Sequence, residues 1–310
     1  MTHLFGPVNS RRLGLSLGVD LIPPKTCTFD CIYCEVGRTT HLTLERRPFA
    51  VEAIIREIRE YFQNPPATSD YITLAGSGEP TLNAGIGEII TAVKDITTIP
   101  VAVLTNGTLL YQSEVRQELA CADVVLPSLD AVSEETFRRI NRPAPGLTLE
   151  MVLAGLKAFR KEYRGQMWLE VMLLKGINDT DAELAALKRE IAAIAPDKVQ
   201  LNTAVRPVVE NYARALNRRE MEAIAAYLGQ GAEIIASFDR PHRAAAAAAK
   251  DRVVIDMLSR RPMTARDLAE ALGLPLPQVQ KRLHRLQAAG RVSRNLYEHQ
   301  GFYRSEPKAE

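Results

Sequence analysis

Six times along the first two-thirds of the chain a short β-rich run is followed by an amphipathic helical stretch, and this alternation restricts the fold more than any other feature. The runs fall at 15–22, 70–76, 101–108, 123–131, 167–176 and 197–205. Between them, 51–62 places Ile54, Ile55, Ile58, Tyr61 and Phe62 on one helical face. Further helices are expected over 86–96 and over 113–122, the latter with Ser113 as N-cap, and in "TLEMVLAGLKAFRKEY" and "TDAELAALKREIAAI". Such a series implies a parallel sheet wound by right-handed crossovers. A closed barrel of eight units would need two more, and residues 210–240 supply only one helix and the short run "AEIIAS". The expected architecture is an α/β fold, a partial (β/α)6 barrel occupying residues 1–240. In such sheets chemistry gathers at the carboxyl ends of the strands.

The pattern changes near residue 241. An alanine-rich stretch reads as a linker running into a new helix, and "TARDLAEALGL" as a short helix capped by Thr264 and ended by Gly273. The next helix, "PLPQVQKRLHRLQAAG", stops at Gly290, and "RVSRNLYEHQGFYRS" alternates like a two-stranded ribbon. That order predicts a small winged-helix domain over 241–310. The segment carries 13 Lys and Arg against 7 Asp and Glu, a net +6, whereas the rest of the chain is mildly acidic. Gln278, Gln280, Lys281, Arg282, His284 and Arg285 on the expected recognition helix, with Arg291 and Arg294 beyond it, suit phosphates and base edges. Val279, Leu283 and Leu286 would form its core face. Nucleic acid (tRNA or DNA), a peptide or protein partner, or a purely structural role all remain open for this domain.

Three of the four cysteines, Cys27, Cys31 and Cys34, fall within eight residues, in "KTCTFDCIYCEVG". No secretory h-region and no apolar run of about 18–20 residues is present, so a cytoplasmic protein without a membrane span is expected. In that compartment clustered cysteines read as metal ligands rather than disulfides. Three thiols leave a four-coordinate site one ligand short. Cys121 lies in a helical pattern just before the fourth run and is expected to be a buried structural residue.

The cysteine loop follows the first strand as Cys27-x3-Cys31-x2-Cys34, with the aromatic Tyr33 before the last cysteine, and "GSGEP" (76–80) follows the second strand. Over roughly residues 10–210 this resembles the radical S-adenosylmethionine enzymes, where a GGEP-type motif occupies the second position; here Ser77 replaces its second glycine. The resemblance implies that the three cysteines hold one 4Fe–4S cluster and that S-adenosylmethionine fills the open iron. A one-electron donor such as flavodoxin or ferredoxin reduces the cluster. Reductive cleavage then yields a 5′-deoxyadenosyl radical that abstracts hydrogen from a substrate. It further implies that Gly76, Ser77, Gly78 and Glu79 meet the methionyl ammonium, with Glu79 either fixing the turn or assisting the ammonium. Tyr33 would pack near the adenine or serve as a core aromatic. Asn106, Ser128, Asp130, Glu170 and Asn202 sit where the family places polar groups for carboxylate and ribose, though each also suits a cap or a turn.

Residues 6–39 and "SLDA…FRRINRP" (128–143) are similar to the branch grouped with the wyosine-type tRNA-modifying synthases. Those enzymes carry a second cluster on additional cysteines, and this chain has only Cys121 to spare. Arg11 and Arg12, ahead of the first strand, are placed to meet a phosphate or carboxylate at the mouth or else to face solvent; His3 and His41 flank the same region. The alternative from another class is a metal- or redox-sensing winged-helix DNA-binding regulator, in which a fourth ligand closes the cysteine site.

Overall fold

The structure is a computed structural model that describes residues 3–65, 68–229, 231–236, 251–297 and 300–306. It opens with β1 (Leu4–Ser10) and β2 (Gly14–Asp20), an antiparallel pair, then two very short strands, β3 (Thr26–Cys27) and β4 (His41–Leu42). Helix α1 (Val51–Gln63), β5 (Tyr71–Ala75), α2 (Ile86–Ile96), β6 (Val101–Thr105), α3 (Ser113–Leu119) and β7 (Val124–Pro127) follow. Then come α4 (Glu134–Asn141), α5 (Leu149–Glu162), β8 (Gln166–Leu173), α6 (Asp181–Ile194), β9 (Lys198–Thr203), α7 (Arg218–Leu228) and β10 (Ala232–Ile234). The sheet order is β1-β2-β5-β6-β7-β8-β9-β10, and every neighbouring pair from β2 onward is parallel. The six expected strands are its centre.

Strand alternation sorts the side chains. On β8, Met167, Leu169, Val171 and Leu173 join the core beneath the helices, where they meet Leu156 and Phe159 of α5. Glu170, between them, points to the opposite face, as do Gln200 and Asn202 on β9 between and beyond Val199 and Leu201. This period of two brings polar groups to the inner face of the sheet without disturbing the apolar layer outside.

A second unit follows: α8 (Asp251–Arg260), β11 (Met263–Thr264), α9 (Ala265–Leu272), α10 (Leu276–Ala288), β12 (Val292–Tyr297) and β13 (Gln300–Ser305), with an antiparallel sheet in the order β11-β13-β12. Thr264 and Asp267 form a reciprocal capping box, and Gly273 closes α9 at φ 61°. Val279, Leu283 and Leu286 are buried in this unit's own core, and Val8 of β1 packs against that core.

Four features differ from the sequence expectation. Strand β1 had no expected counterpart, because Gly6 and Pro7 interrupt its alternation; its partner is the β2 edge, a long-range choice. The short strands β3, β4 and β11 were likewise unexpected. Helix α3 begins at Ser113 with Gln112 at the N-cap position and no side-chain cap, and it ends at Leu119. Cys121 therefore lies past the helix and is exposed, while Ala122 turns inward in its place. The alanine-rich stretch 241–250 lies outside the described residues. Among the described residues no helix is long and apolar enough to cross a membrane.

Candidate active site

The loop after β2 is anchored on both sides of its cysteines. Phe29 is buried edge-on to Phe137 of α4 at 5.5 Å, and Ile32 is fully buried. The amides of Asp30 and Ile32 donate to the carbonyls of Asn141 and Ile140 at 3.0 and 2.9 Å. Cys27 pairs with Leu42, so β3 and β4 hold the loop's two ends together.

The three cysteines are free thiols, partly buried, and they line one open cavity. Burial pushes Cys27 up to about 12, and the nearby Glu79 adds to the shift. Burial, with Asp130 next, also raises Cys31 well above its ordinary value. Yet N–H donors approach the sulfurs: Phe29 N at 3.5 Å and Asn106 Nδ2 at 3.7 Å from Cys27, Asn141 Nδ2 at 3.5 Å from Cys31. Buried Lys25 Nζ, which finds no hydrogen-bond partner among the described residues, contributes favourable charge at Cys34. Thiols destabilised as anions but surrounded by donors suit an electropositive centre that takes thiolates. Among the described residues no group of three or more His, Cys, Asp or Glu could hold a single metal ion. A four-iron cubane takes one thiolate per iron, so it does not require three sulfurs on one centre. The donor set fits that group.

The turn "GSGEP" is locked to the cysteine loop through the backbone. Lys25 N donates to Ser77 O at 2.7 Å and Glu79 N to Thr26 O at 3.1 Å. A Cβ at Gly78 would run into the Thr26 carbonyl, so the approach needs glycine. Glu79 is 1% exposed and its carboxylate is fully engaged. It accepts from Thr81 N (3.0 Å), Thr81 Oγ1 (2.6 Å), Thr105 Oγ1 (2.6 Å) and Asn106 N (2.7 Å). Burial nevertheless holds its carboxyl above the usual range, against those four hydrogen bonds. In this arrangement Glu79 braces the turn.

Across the cavity Tyr33 donates its hydroxyl to Asp130 Oδ2 at 2.5 Å, and Asp130 also accepts from Asn141 Nδ2 (2.8 Å) and Met172 N (3.0 Å). Glu170 is held bidentately by Arg12, with Nε at 2.6 Å, and accepts from Asn202 Nδ2 at 3.0 Å. Ser128 bridges to Glu170 through the backbone. Asn106 is a turn residue as well as a wall residue, since its Oδ1 accepts from Thr108 N and Oγ1 at 3.1 and 2.7 Å.

The cavity brings together Cys27, Cys31, Cys34, Tyr33, Gly76, Ser77, Gly78, Glu79, Asn106, Ser128, Asp130, Glu170 and Asn202, from six neighbouring strands of the sheet and the loops that follow them. Arg11 and Arg12 also line it, so neither is a solvated bystander. His3 sits away from it, its Nδ1 3.2 Å from Asp20 O, and His41 is exposed. Sequence reasoning missed Lys25, Glu35, Asn141, Arg206 and Arg261. Glu35 carried a signal in directly following Cys34, and Arg206 in directly following the sixth run at the carboxyl end of the sheet; Arg261 carried none, because its neighbours come from distant parts of the chain.

A profile described as the radical SAM superfamily matches residues 21–187. A protein named GTPase Obg from Brachyspira hyodysenteriae is 40% identical over 294 residues, 94% of this chain and 43% of that protein. This chain thus spans less than half of that relative, and the similarity reaches well into the C-terminal unit. A UPF0026 protein from Synechocystis is 42% identical over 205 residues, covering 66% of this chain and 76% of that one. Among solved structures, Streptococcus suis SuiB bound to precursor peptide SuiA aligns with a TM-score of 0.54 at 15% identity, over 72% of this chain and 49% of the other, a likeness of fold.

Proposed function

Because the chain belongs to the radical SAM superfamily, whose enzymes use a 4Fe–4S cluster and S-adenosylmethionine, we propose that it holds one such cluster through Cys27, Cys31 and Cys34 and binds S-adenosylmethionine in the cavity beside them. The observation that carries this reading is the single cavity shared by the three thiols, the "GSGEP" turn and polar groups from the later strands. When bound, the cluster and co-substrate supply an electron and a 5′-deoxyadenosyl radical for hydrogen abstraction.

The chain's own residues position and shield. Asn106 and Asn141 donate toward thiolate sulfur and tune it. Gly76, Ser77 and Gly78 offer backbone to the methionyl ammonium, while Glu79 holds that turn rigid from behind. Tyr33, oriented by Asp130, forms the wall for the adenine. Glu170, pre-oriented by Arg12, and Asn202, held between Glu170 and Arg11, together with Ser128, face the ribose and carboxylate.

Residues 1–240 form the catalytic unit and 241–310 a winged-helix unit that recruits substrate. The exposed Gln278, Gln280, Lys281, His284 and Arg285 on α10 support a nucleic-acid partner, with a peptide as the second reading on the likeness to peptide-bound SuiB. Cys121, exposed and outside the cavity, supports no second cluster, so the wyosine reaction is not part of the reading. Neither the site nor the comparisons support the sensor-regulator alternative.

The test is anaerobic reconstitution with iron and sulfide, reduction by dithionite, and chromatography for 5′-deoxyadenosine. About four irons per chain and formation of the nucleoside are expected. A protein that takes up zinc instead, or leaves S-adenosylmethionine intact, overturns the reading.

A further inference from the structure

Lys25 is held in an uncommon backbone conformation by both loops that border the cysteine cavity. Its φ is 65°, in the left-handed region, where glycine sits at less cost than a residue with a side chain. Its amide donates to Ser77 O at 2.7 Å, and its carbonyl accepts from Thr40 N and His41 N at 3.1 and 3.0 Å. The "GSGEP" turn and the return from the cysteine loop thus fix the residue from two sides. Glycine could make the same three bonds, so it is the side chain that explains lysine here. That side chain lines the cavity with Cys27, Cys31 and Cys34.

The ammonium has no acid to pair with. The residue as a whole is half-buried, but Nζ itself is buried and, among the described residues, has neither a hydrogen-bond partner nor an ion-pair partner. Glu35, next to Cys34, turns to Arg11 and Arg206 at 3.2 Å each, and Asp30 turns to Arg38 and Arg142 at 3.7 and 3.4 Å. The charges that act on Lys25 are those of Cys34 and of Arg304 on β13. Both cations converge on Gly37, just past Cys34. A Cβ there would meet Lys25 Nζ at 2.8 Å and would lie 3.9 Å from Arg304 Nη2, so glycine is what leaves the ammonium its place. A buried charge without a partner is costly, and an anion beside it offsets the cost. A cubane held by three thiolates is such an anion, and an added electron makes it more negative.

We propose that Lys25 tunes the cluster: its ammonium stands beside the Cys34 thiolate and raises the reduction potential, and Arg304 of the C-terminal unit adds a weaker contribution of the same sign. This deepens the radical-enzyme reading and rests on it. A cation next to an anion whose charge grows on reduction favours the reduced form, and most strongly where water is excluded. Lys25 Nζ meets that condition; Arg304 is exposed, so salt screens it. Glu170 and Asn202, the groups read as facing the co-substrate, come from β8 and β9, whereas Lys25 approaches from the Cys34 side. The C-terminal unit then bears on how readily the site accepts an electron, through Arg304.

The experiment is a redox titration of the reconstituted full-length protein, followed by its electron paramagnetic resonance signal, with dithionite as reductant and no S-adenosylmethionine present. Lys25→Gln lowers the equilibrium constant for one-electron reduction about tenfold, a shift of about 59 mV to more negative potential. Lys25→Arg, which keeps the charge, restores most of it. Arg304→Gln shifts the potential in the same direction by less, and by less still at high salt. Arg219→Gln, an exposed residue of α7, leaves it unchanged. A wild-type potential in Lys25→Gln at full iron and sulfide content overturns the proposal; weakened S-adenosylmethionine binding in that variant would then give Lys25 to the co-substrate. If Lys25→Gln takes up no cluster, Arg304→Gln decides, since it leaves the loop untouched, and a wild-type potential there overturns the proposal. Iron and sulfide analysis of the wild type keeps the two readings apart: no cluster there fails the enzyme reading itself and this proposal with it, whereas a full cluster insensitive to Lys25 fails the proposal alone.

Discussion

Arg260, the last residue of α8, places Nη1 2.7 Å from Oδ2 of Asp20, the last residue of β2. Asp20 also accepts from Ser77, the amide at 3.1 Å and the hydroxyl at 2.8 Å. One carboxylate thus ties the C-terminal unit to the turn proposed to meet S-adenosylmethionine. The guanidinium of Arg260 also lies over the Phe5 ring at 4.1 Å, which packs it at the junction of the two units.

Removing that guanidinium leaves a mostly buried carboxylate short of a charged partner. Arg260→Ala is expected to lower stability by about 1–3 kcal/mol and to weaken S-adenosylmethionine binding severalfold. Urea denaturation and equilibrium dialysis read the two effects. Unchanged affinity would mean that Asp20 holds Ser77 without help from α8.

Gly78→Ala sets a methyl group against the Thr26 carbonyl, which is backbone and has no flexible end to yield. The expected cost is about 1–3 kcal/mol, with separation of the turn from the cysteine loop and loss of co-substrate binding. A variant as stable and as tightly binding as wild type would refute the close approach.

Cys31→Ala should abolish cluster assembly and leave the fold largely intact, because Cys31 only borders a core built by the sheet and helices. Anaerobic iron and sulfide analysis beside a circular dichroism melt checks both halves. A full wild-type complement of iron and sulfide in the variant contradicts the ligand assignment.

Glu170 gives stability a pH dependence of known sign. Burial opposes its ionisation, but Arg12 and Asn202 carry its carboxyl below the usual range. The folded state therefore binds this proton less readily than the unfolded chain. Its contribution is complete above the ordinary glutamate range, near pH 4.5, and is lost as pH falls through the lower folded value. The urea midpoint should fall more steeply on acidification in wild type than in Glu170→Gln. Parallel curves would show that the pair with Arg12 contributes nothing.

The parallel strands at the centre of the sheet, the helices that cover them and the caps at Thr264 and Gly273 were legible in the sequence, because period, capping and turn chemistry act over a few residues. So was the grouping of thirteen residues in one cavity: strand alternation and βα order send them to the same end, whatever the details of packing. What the tertiary structure alone decided depends on which distant surfaces meet. Strand β1 exists because β2 offers it an edge, and Cys121 is exposed because α3 stops at Leu119 and Ala122 takes the inward position. The three guanidiniums around Glu35 come from the turn before β2, the segment after β9 and the residue that follows α8. Electrostatic repulsion works against such a cluster, and no local pattern announces it. It forms only where the folding of both units brings the arginines to one wall.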